Sequence, residues 1–129
     1  MVHRLTVRVY YEDTDLAGIV YYANYLKFIE RARTEYVRAV GIDQGRMRDD
    51  EGVVFAVRRV EADYIKSAKF DDVLDVVTTV ESMTPARLVM RQVVERDGDT
   101  LFEALVTLVA LSESGRPARL PAEIRQALT

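Results

Sequence analysis

Residues 24–40 read NYLKFIERARTEYVRAV, and their spacing decides the architecture. Tyr25, Phe28, Ile29, Ala32, Tyr36 and Val40 recur at helical intervals and form one apolar stripe, while Lys27, Glu30, Arg31, Arg33, Thr34 and Glu35 fall largely off it. Asn24 is a candidate N-cap, and Gly41 stands where a helix should stop. One long amphipathic helix with a single face to bury is therefore expected. The charged run from Glu30 to Glu35 needs no partner, since pairs three and four residues apart, Glu30 with Arg33 and Arg31 with Glu35, explain it.

Upstream, residues 3–12 alternate, with Leu5, Val7, Val9 and Tyr11 on one side and Thr6, Arg8, Tyr10 and Glu12 on the other, the period of a half-buried strand. Downstream, a polar loop over about 43–52 leads to four strand-like segments. In the first, Val53, Phe55 and Val57 share one parity and Val60, Ala62 and Tyr64 the other, which predicts a bulge near Arg58. Residues 73–82 alternate, and 86–96 and 100–112 are joined by Arg96-Asp97-Gly98-Asp99, a hairpin signal. A short helix is expected from Pro121 to Leu128.

The segment Leu101–Leu111 is apolar on both faces, which places it inside the sheet. One helix covers one face of a five-stranded antiparallel sheet, so the remaining apolar surface calls for another subunit. No repeat or linker divides the chain, so residues 1–129 read as one domain.

The composition of the 129 residues, 49% hydrophobic and 30% charged, is that of a folding globular chain. Eighteen Lys and Arg against 21 Asp and Glu leave a net charge of −3, which offers no field for nucleic acid. The absence of cysteine excludes disulfides, thiolate nucleophiles and Cys-ligated metals, and a lone His3, read as a solvated terminal residue, excludes most histidine mechanisms. The N-terminal residues have no apolar run of the secretory kind and Leu101–Leu111 is too short for a membrane span, so a cytoplasmic protein without an integral membrane segment is expected.

Glu12, Asp13, Thr14 and Asp15 form a concentrated acidic group beside the Gly18 turn. Such residues commonly satisfy turn and helix-end amides, so spacing alone favours a structural role. Neighbouring strand residues point to opposite faces, which argues against a metal site built from Glu12, Asp13 and Asp15.

The run VRVYYEDTDLAGIVYYANYLKFIERARTEYVRAVGI, with Y-E-D-T-D, A-G-I-V-Y, N-Y and E-R-A-R-T-E in that order, resembles the signature of hotdog-fold acyl-CoA thioesterases. The branch is that of 4-hydroxybenzoyl-CoA thioesterase and the Tol-Pal-associated, YbgC-type enzymes. The resemblance implies an α+β hotdog fold, a five-stranded antiparallel sheet wrapped around one long helix, and a homodimer or homotetramer. It also implies hydrolysis of an acyl-CoA to free acid and CoA without metal or other cofactor. By position the family's catalytic aspartate is Asp15, acting either as nucleophile through a mixed anhydride or as a base on water. The same resemblance puts the oxyanion donor at the backbone amide of Tyr22, near the start of the long helix.

Tol-Pal-associated members commonly read V-Y-H where this chain reads V-Y-Y, so a histidine-assisted route is not expected here. Tyr25, Phe55 and Val57 are acyl-pocket candidates, Phe55 and Val57 lying on the strand that pairs between subunits in the family. For the CoA phosphates, Arg58, Arg59, Lys66, Lys69, Arg87 and Arg91 are available. The arginine-rich clamp of the hydroxybenzoyl branch is replaced by MTPAR, of which Arg87 is the near match. Two other readings are weighed against hydrolysis. A dehydratase on the same fold would need a placed histidine, and a non-catalytic acyl- or partner-binding protein would lack the carboxylate. An acyl carrier protein is a further partner, requiring a local basic patch.

Overall fold

The structure is a computed structural model that describes residues 1–129. Strand β1 (His3–Arg8) leads through a 3-10 turn (Tyr11–Asp13) to helix α1 (Asn24–Ala39). Two short helical turns follow, α2 (Gln44–Arg46) and a π-helical turn (Met47–Glu51), then strands β2 (Val53–Tyr64), β3 (Val73–Met83), β4 (Arg87–Arg96) and β5 (Asp99–Ser112). A two-residue strand β6 (Pro117–Ala118) and helix α3 (Ala122–Ala127) close the chain. The long strands form one antiparallel sheet in the order β1-β3-β4-β5-β2.

The α+β hotdog expectation holds, with details that differ. The sheet has six strands rather than five, because β6 continues along the edge of β5 where β4 ends: Arg87 pairs with Val109, and Ala118 with Ala110. The bulge falls where the change of parity places it, between Val57 and Arg59. The hairpin turns at Asp97 (φ 52°) and Gly98 (φ 81°), two successive left-handed residues that match the twist of the flanking strands. β5 is interior, although β4 occupies the centre.

Strand β1 stops at Arg8, earlier than the alternation suggests, because Tyr10 to Asp13 turn on themselves with the Asp13 carboxylate accepting from Tyr10 N–H at 2.8 Å. The expected polar loop at 43–52 is helical instead, started by Asp43, whose side chain caps the Arg46 amide. His3 is half-buried rather than solvated, its ring 5.9 Å from that of Tyr36.

Five residues of the stripe of α1, Tyr25, Phe28, Ile29, Ala32 and Tyr36, are buried as their spacing requires and with Val37 pack against Leu74, Val76, Leu88, Met90, Phe102 and Val106 in one core, whereas Val40 lies just past the helix end and is half-buried. The opposite sheet face carries Val77, Val89, Val93, Leu105 and Val109 only half-buried. On edge strand β2, Val54, Val57 and Val60 are exposed. No helix is long and apolar enough to cross a membrane.

The ion pairs expected within α1 do not form. Arg33 instead turns inward and donates to Gln92 Oε1 at 3.0 Å, and Glu35 pairs with Arg38. Gln92 is fully buried and spends its amide on Ile29 O (2.8 Å) and Thr78 Oγ1 (3.0 Å). Helix and sheet are thereby joined by a polar tie inside the core.

Candidate active site

The segment between β1 and α1 forms a small hairpin. Thr14 bridges Val20, Asp15 N–H donates to Ile19 O at 2.9 Å, and Gly18 closes the turn with φ 79°, a value costly for any residue with a Cβ. Asp15 is exposed on the shoulder of this turn. Its Oδ1 accepts from Ala17 N–H at 2.9 Å, while no group in the chain donates to Oδ2. One carboxylate oxygen is fixed and the other is free. Asp13 differs sharply, being buried and bonded to Tyr10 N–H, a structural role.

The hairpin is tied to the start of α1 through Asp13 O, which accepts from Tyr21 N–H and from Asn24 Nδ2, both at 2.9 Å. Asn24 is therefore a brace rather than the expected N-cap. The cap position falls to Ala23, which has no side-chain acceptor to offer. Asn24 N–H bonds back to Tyr21 O, but the N–H groups of Tyr22 and Ala23 donate to nothing in the chain. A 16-residue helix thus begins with bare amides at the positive end of its dipole, beside a free carboxylate oxygen.

Asp15, Tyr22, Tyr25, Tyr64 and Lys66 line one cleft of about 270 Å³. Its wall is aromatic. Tyr25 stacks on Phe102 (centroids 5.0 Å, interplanar 8°), and Tyr64 meets Phe102, Tyr25 and Tyr22 edge-on at 5.0, 5.6 and 6.1 Å. The Tyr25 hydroxyl accepts from the buried Ala68 N–H at 3.0 Å, and the Tyr64 hydroxyl donates to Tyr22 O at 3.0 Å. Burial pushes both phenols above their ordinary value, so both stay protonated at neutral pH.

Not every expected residue arrives here. Val57 lines a second, more apolar groove of about 470 Å³ with Leu26, Ile29, Arg33 and Val60, and Phe55 lies half-buried further along β2. Arg87 is also elsewhere. Val94, Phe102 and Tyr64 are in register near the cleft, whereas Arg87 begins β4, about 24 Å away at ~3.4 Å per residue. Lys66 is the cation at the cleft, paired with Asp99 at 2.7 Å. Tyr64 was not among the pocket candidates, although the parity change at the bulge turns it toward the helix.

A one-helix, antiparallel-sheet fold with an acidic turn against the helix start defines the hotdog class. The model of the thioesterase superfamily matches residues 17–103, and the chain belongs to that superfamily. It is 41% identical over 123 residues to the acyl-CoA thioesterase YbgC of Haemophilus influenzae, covering 94% of this chain and 90% of that protein. A probable thioesterase from Bartonella henselae superposes with a TM-score of 0.90 at 35% identity, covering 94% of this chain and all of that one. A 4-hydroxybenzoyl-CoA thioesterase variant complexed with 4-hydroxybenzoyl-CoA shares the fold, with a TM-score of 0.93 at 24% identity over 99% of each chain.

Proposed function

We propose that the chain hydrolyses acyl-CoA thioesters to free acid and CoA, with Asp15 as the reacting carboxylate and the Tyr22 amide as oxyanion donor. The observation that carries this reading is the meeting, in one cleft, of a carboxylate with a free oxygen and an unsatisfied helix-start amide. The 41% identity to an acyl-CoA thioesterase supports the substrate class.

Two routes use the same atoms. In the first, Asp15 Oδ2 attacks the thioester carbonyl, the C–S bond breaks, CoA leaves as thiolate, and water then cleaves the mixed anhydride. In the second, Asp15 takes a proton from water as its oxygen attacks, and that proton finishes on the departing sulfur. Both build negative charge on the carbonyl oxygen, which a preorganised amide stabilises; losing one such donor typically costs about 3–4 kcal/mol of barrier. Thiolate is a good leaving group, so a carboxylate suffices without histidine.

The aromatic wall of Tyr22, Tyr25 and Tyr64 suits the acyl portion next to the thioester, and Lys66, of the six cations available for the CoA phosphates, is the one that lines this cleft. We further read the chain as a homo-oligomer, because the exposed β2 edge and the Val57 groove are apolar surface that a second copy would cover. In that assembly Phe55 and Val57 would join the pocket.

The test is CoA release from short-chain, long-chain and aromatic acyl-CoAs, and from an acyl carrier protein thioester, by the wild type and by Asp15→Asn. Turnover of at least one substrate that falls ~10²-fold or more in a folded variant is the expected outcome. Binding without release in the wild type would instead give a non-catalytic acyl-binding protein.

A further inference from the structure

Tyr64 is the last residue of β2, and its hydroxyl is the sole partner of the Tyr22 carbonyl: no backbone N–H of α1 reaches that oxygen, since Leu26 N–H bonds to Ala23 O instead. The two peptide planes that flank the Tyr22 Cα are therefore held by different parts of the fold. The Tyr21–Tyr22 plane is fixed by Asn24 N–H on Tyr21 O at 2.8 Å, and the Tyr22–Ala23 plane by the Tyr64 hydroxyl on Tyr22 O at 3.0 Å. Each plane is rigid, with its N–H opposed to its C=O, so anchoring a carbonyl also sets the direction of the amide across from it. Without the Tyr64 bond, the Tyr22–Ala23 plane is free to turn about the bonds to its two Cα atoms. A turned plane changes which way Ala23 N–H points and loosens the Tyr22 backbone between them.

We infer that Tyr64 is a positioning residue for thioester hydrolysis, its hydroxyl clamping the Tyr22 carbonyl so that the unpaired amides at the start of α1 are held in place for the oxyanion. The ring is well placed to act as a rigid strut. It leans edge-on against Phe102 of β5 and Tyr25 of α1, with interplanar angles of 70° and 77°, so contacts from both sheet and helix locate the hydroxyl. A hydrogen bond accepted by a peptide carbonyl also polarises the amide across the same plane, which strengthens Ala23 N–H as a donor.

This inference rests on the Asp15 and Tyr22 reading, and Tyr64→Phe separates the two. The substitution keeps the ring and removes the hydroxyl. Steady-state kinetics on the acyl-CoA of the panel with the highest turnover should show kcat lowered about tenfold, with KM within ~2-fold and the melting temperature nearly unchanged. A spectroscopic reading supplies a second arm. In the Asp15→Asn background with the same acyl-CoA bound, the thioester carbonyl stretch should shift to lower frequency, and adding Tyr64→Phe should reduce that shift. If Asp15→Asn is crippled while Tyr64→Phe keeps wild-type kcat, or loses activity only through KM or folding, the positioning role falls and the site reading stands. If Asp15→Asn is as active as the wild type, the site reading falls and the positioning role with it.

Discussion

Two depressions open along α1 and β2, and they are built on opposite principles. At the Asp15 cleft, four side chains are tied to backbone: Asp15 to Ala17, Asn24 to Asp13, Tyr25 to Ala68 and Tyr64 to Tyr22. What remains unsatisfied there is the Tyr22 and Ala23 amides and one carboxylate oxygen. At the Val57 groove the reverse holds. Its exposed apolar side chains, Leu26, Val57 and Val60, stand beside Lys27, Glu30, Arg31 and Arg33, and Arg33 is already held by Gln92. Burial lowers the pKa of Arg33 from its ordinary value, with Glu30 acting in the opposite sense. The first depression has unspent polar capacity and the second has exposed apolar side chains, which is why the chemistry is proposed at one and association at the other.

The sharpest way to break this contrast is Asp15→Asn, which should remove ~10²-fold or more of kcat at unchanged melting temperature; full activity would erase the distinction. Next in size is Gln92→Leu, which leaves Arg33 half-buried without its acceptor. A loss of roughly 2–3 kcal/mol is expected in denaturant unfolding, with kcat in the folded fraction retained, which would mark the tie as structural. A third test addresses the groove. Val57→Lys sits on an exposed position and should cost the isolated chain no more than ~0.5 kcal/mol, but it buries a charge in any assembly through β2. Sedimentation velocity should then report a lighter species than the wild type, and an unchanged profile would move the interface elsewhere.

The smallest effect concerns the support beneath the cleft. Asp72 is pushed up by burial, but its bonds from Lys69 N–H at 2.8 Å and Arg96 at 2.7 Å outweigh this and hold its pKa below the ordinary value. Lys69 in turn bridges Ile19 of the Asp15 hairpin. Because the folded pKa is depressed, the stabilisation is present above the unfolded value near ~3.9 and is lost as pH falls through the lower native value. Asp72→Asn should therefore lower stability by roughly 1 kcal/mol at pH 7, and the difference from wild type should close in acid once the pH has fallen through the depressed native value. A difference that persisted unchanged in acid would assign the effect to packing rather than charge.

Much of this was legible in the chain because it is local. The 3.6-residue stripe of α1, the change of parity at Arg58, the Asp97-Gly98 turn and the double-faced β5 each follow from side-chain direction within a single element. The acidic turn was legible as a group of residues, and the resemblance of its motif to the family's signature singled out Asp15. What stayed hidden depends on which distant backbone groups go unpaired. The inward turn of Arg33, the rotation of Asn24 from cap to brace, and the distance of Arg87 from the cleft are set by strand register and helix placement.

The sequence by itself determined the order of one strand, a long helix and four further strands, because hydrophobic period and turn chemistry act over a few neighbouring residues and need no partner to be read, and it was the resemblance of its motif run that gave this order the name of a hotdog fold. Only the tertiary structure decided that Tyr64, some forty residues after Tyr22, holds the carbonyl beside the free amides. That contact exists because β2 runs back beneath the start of α1, and hydrogen bonds acting over about 3 Å depend on where two segments meet, which no single segment specifies.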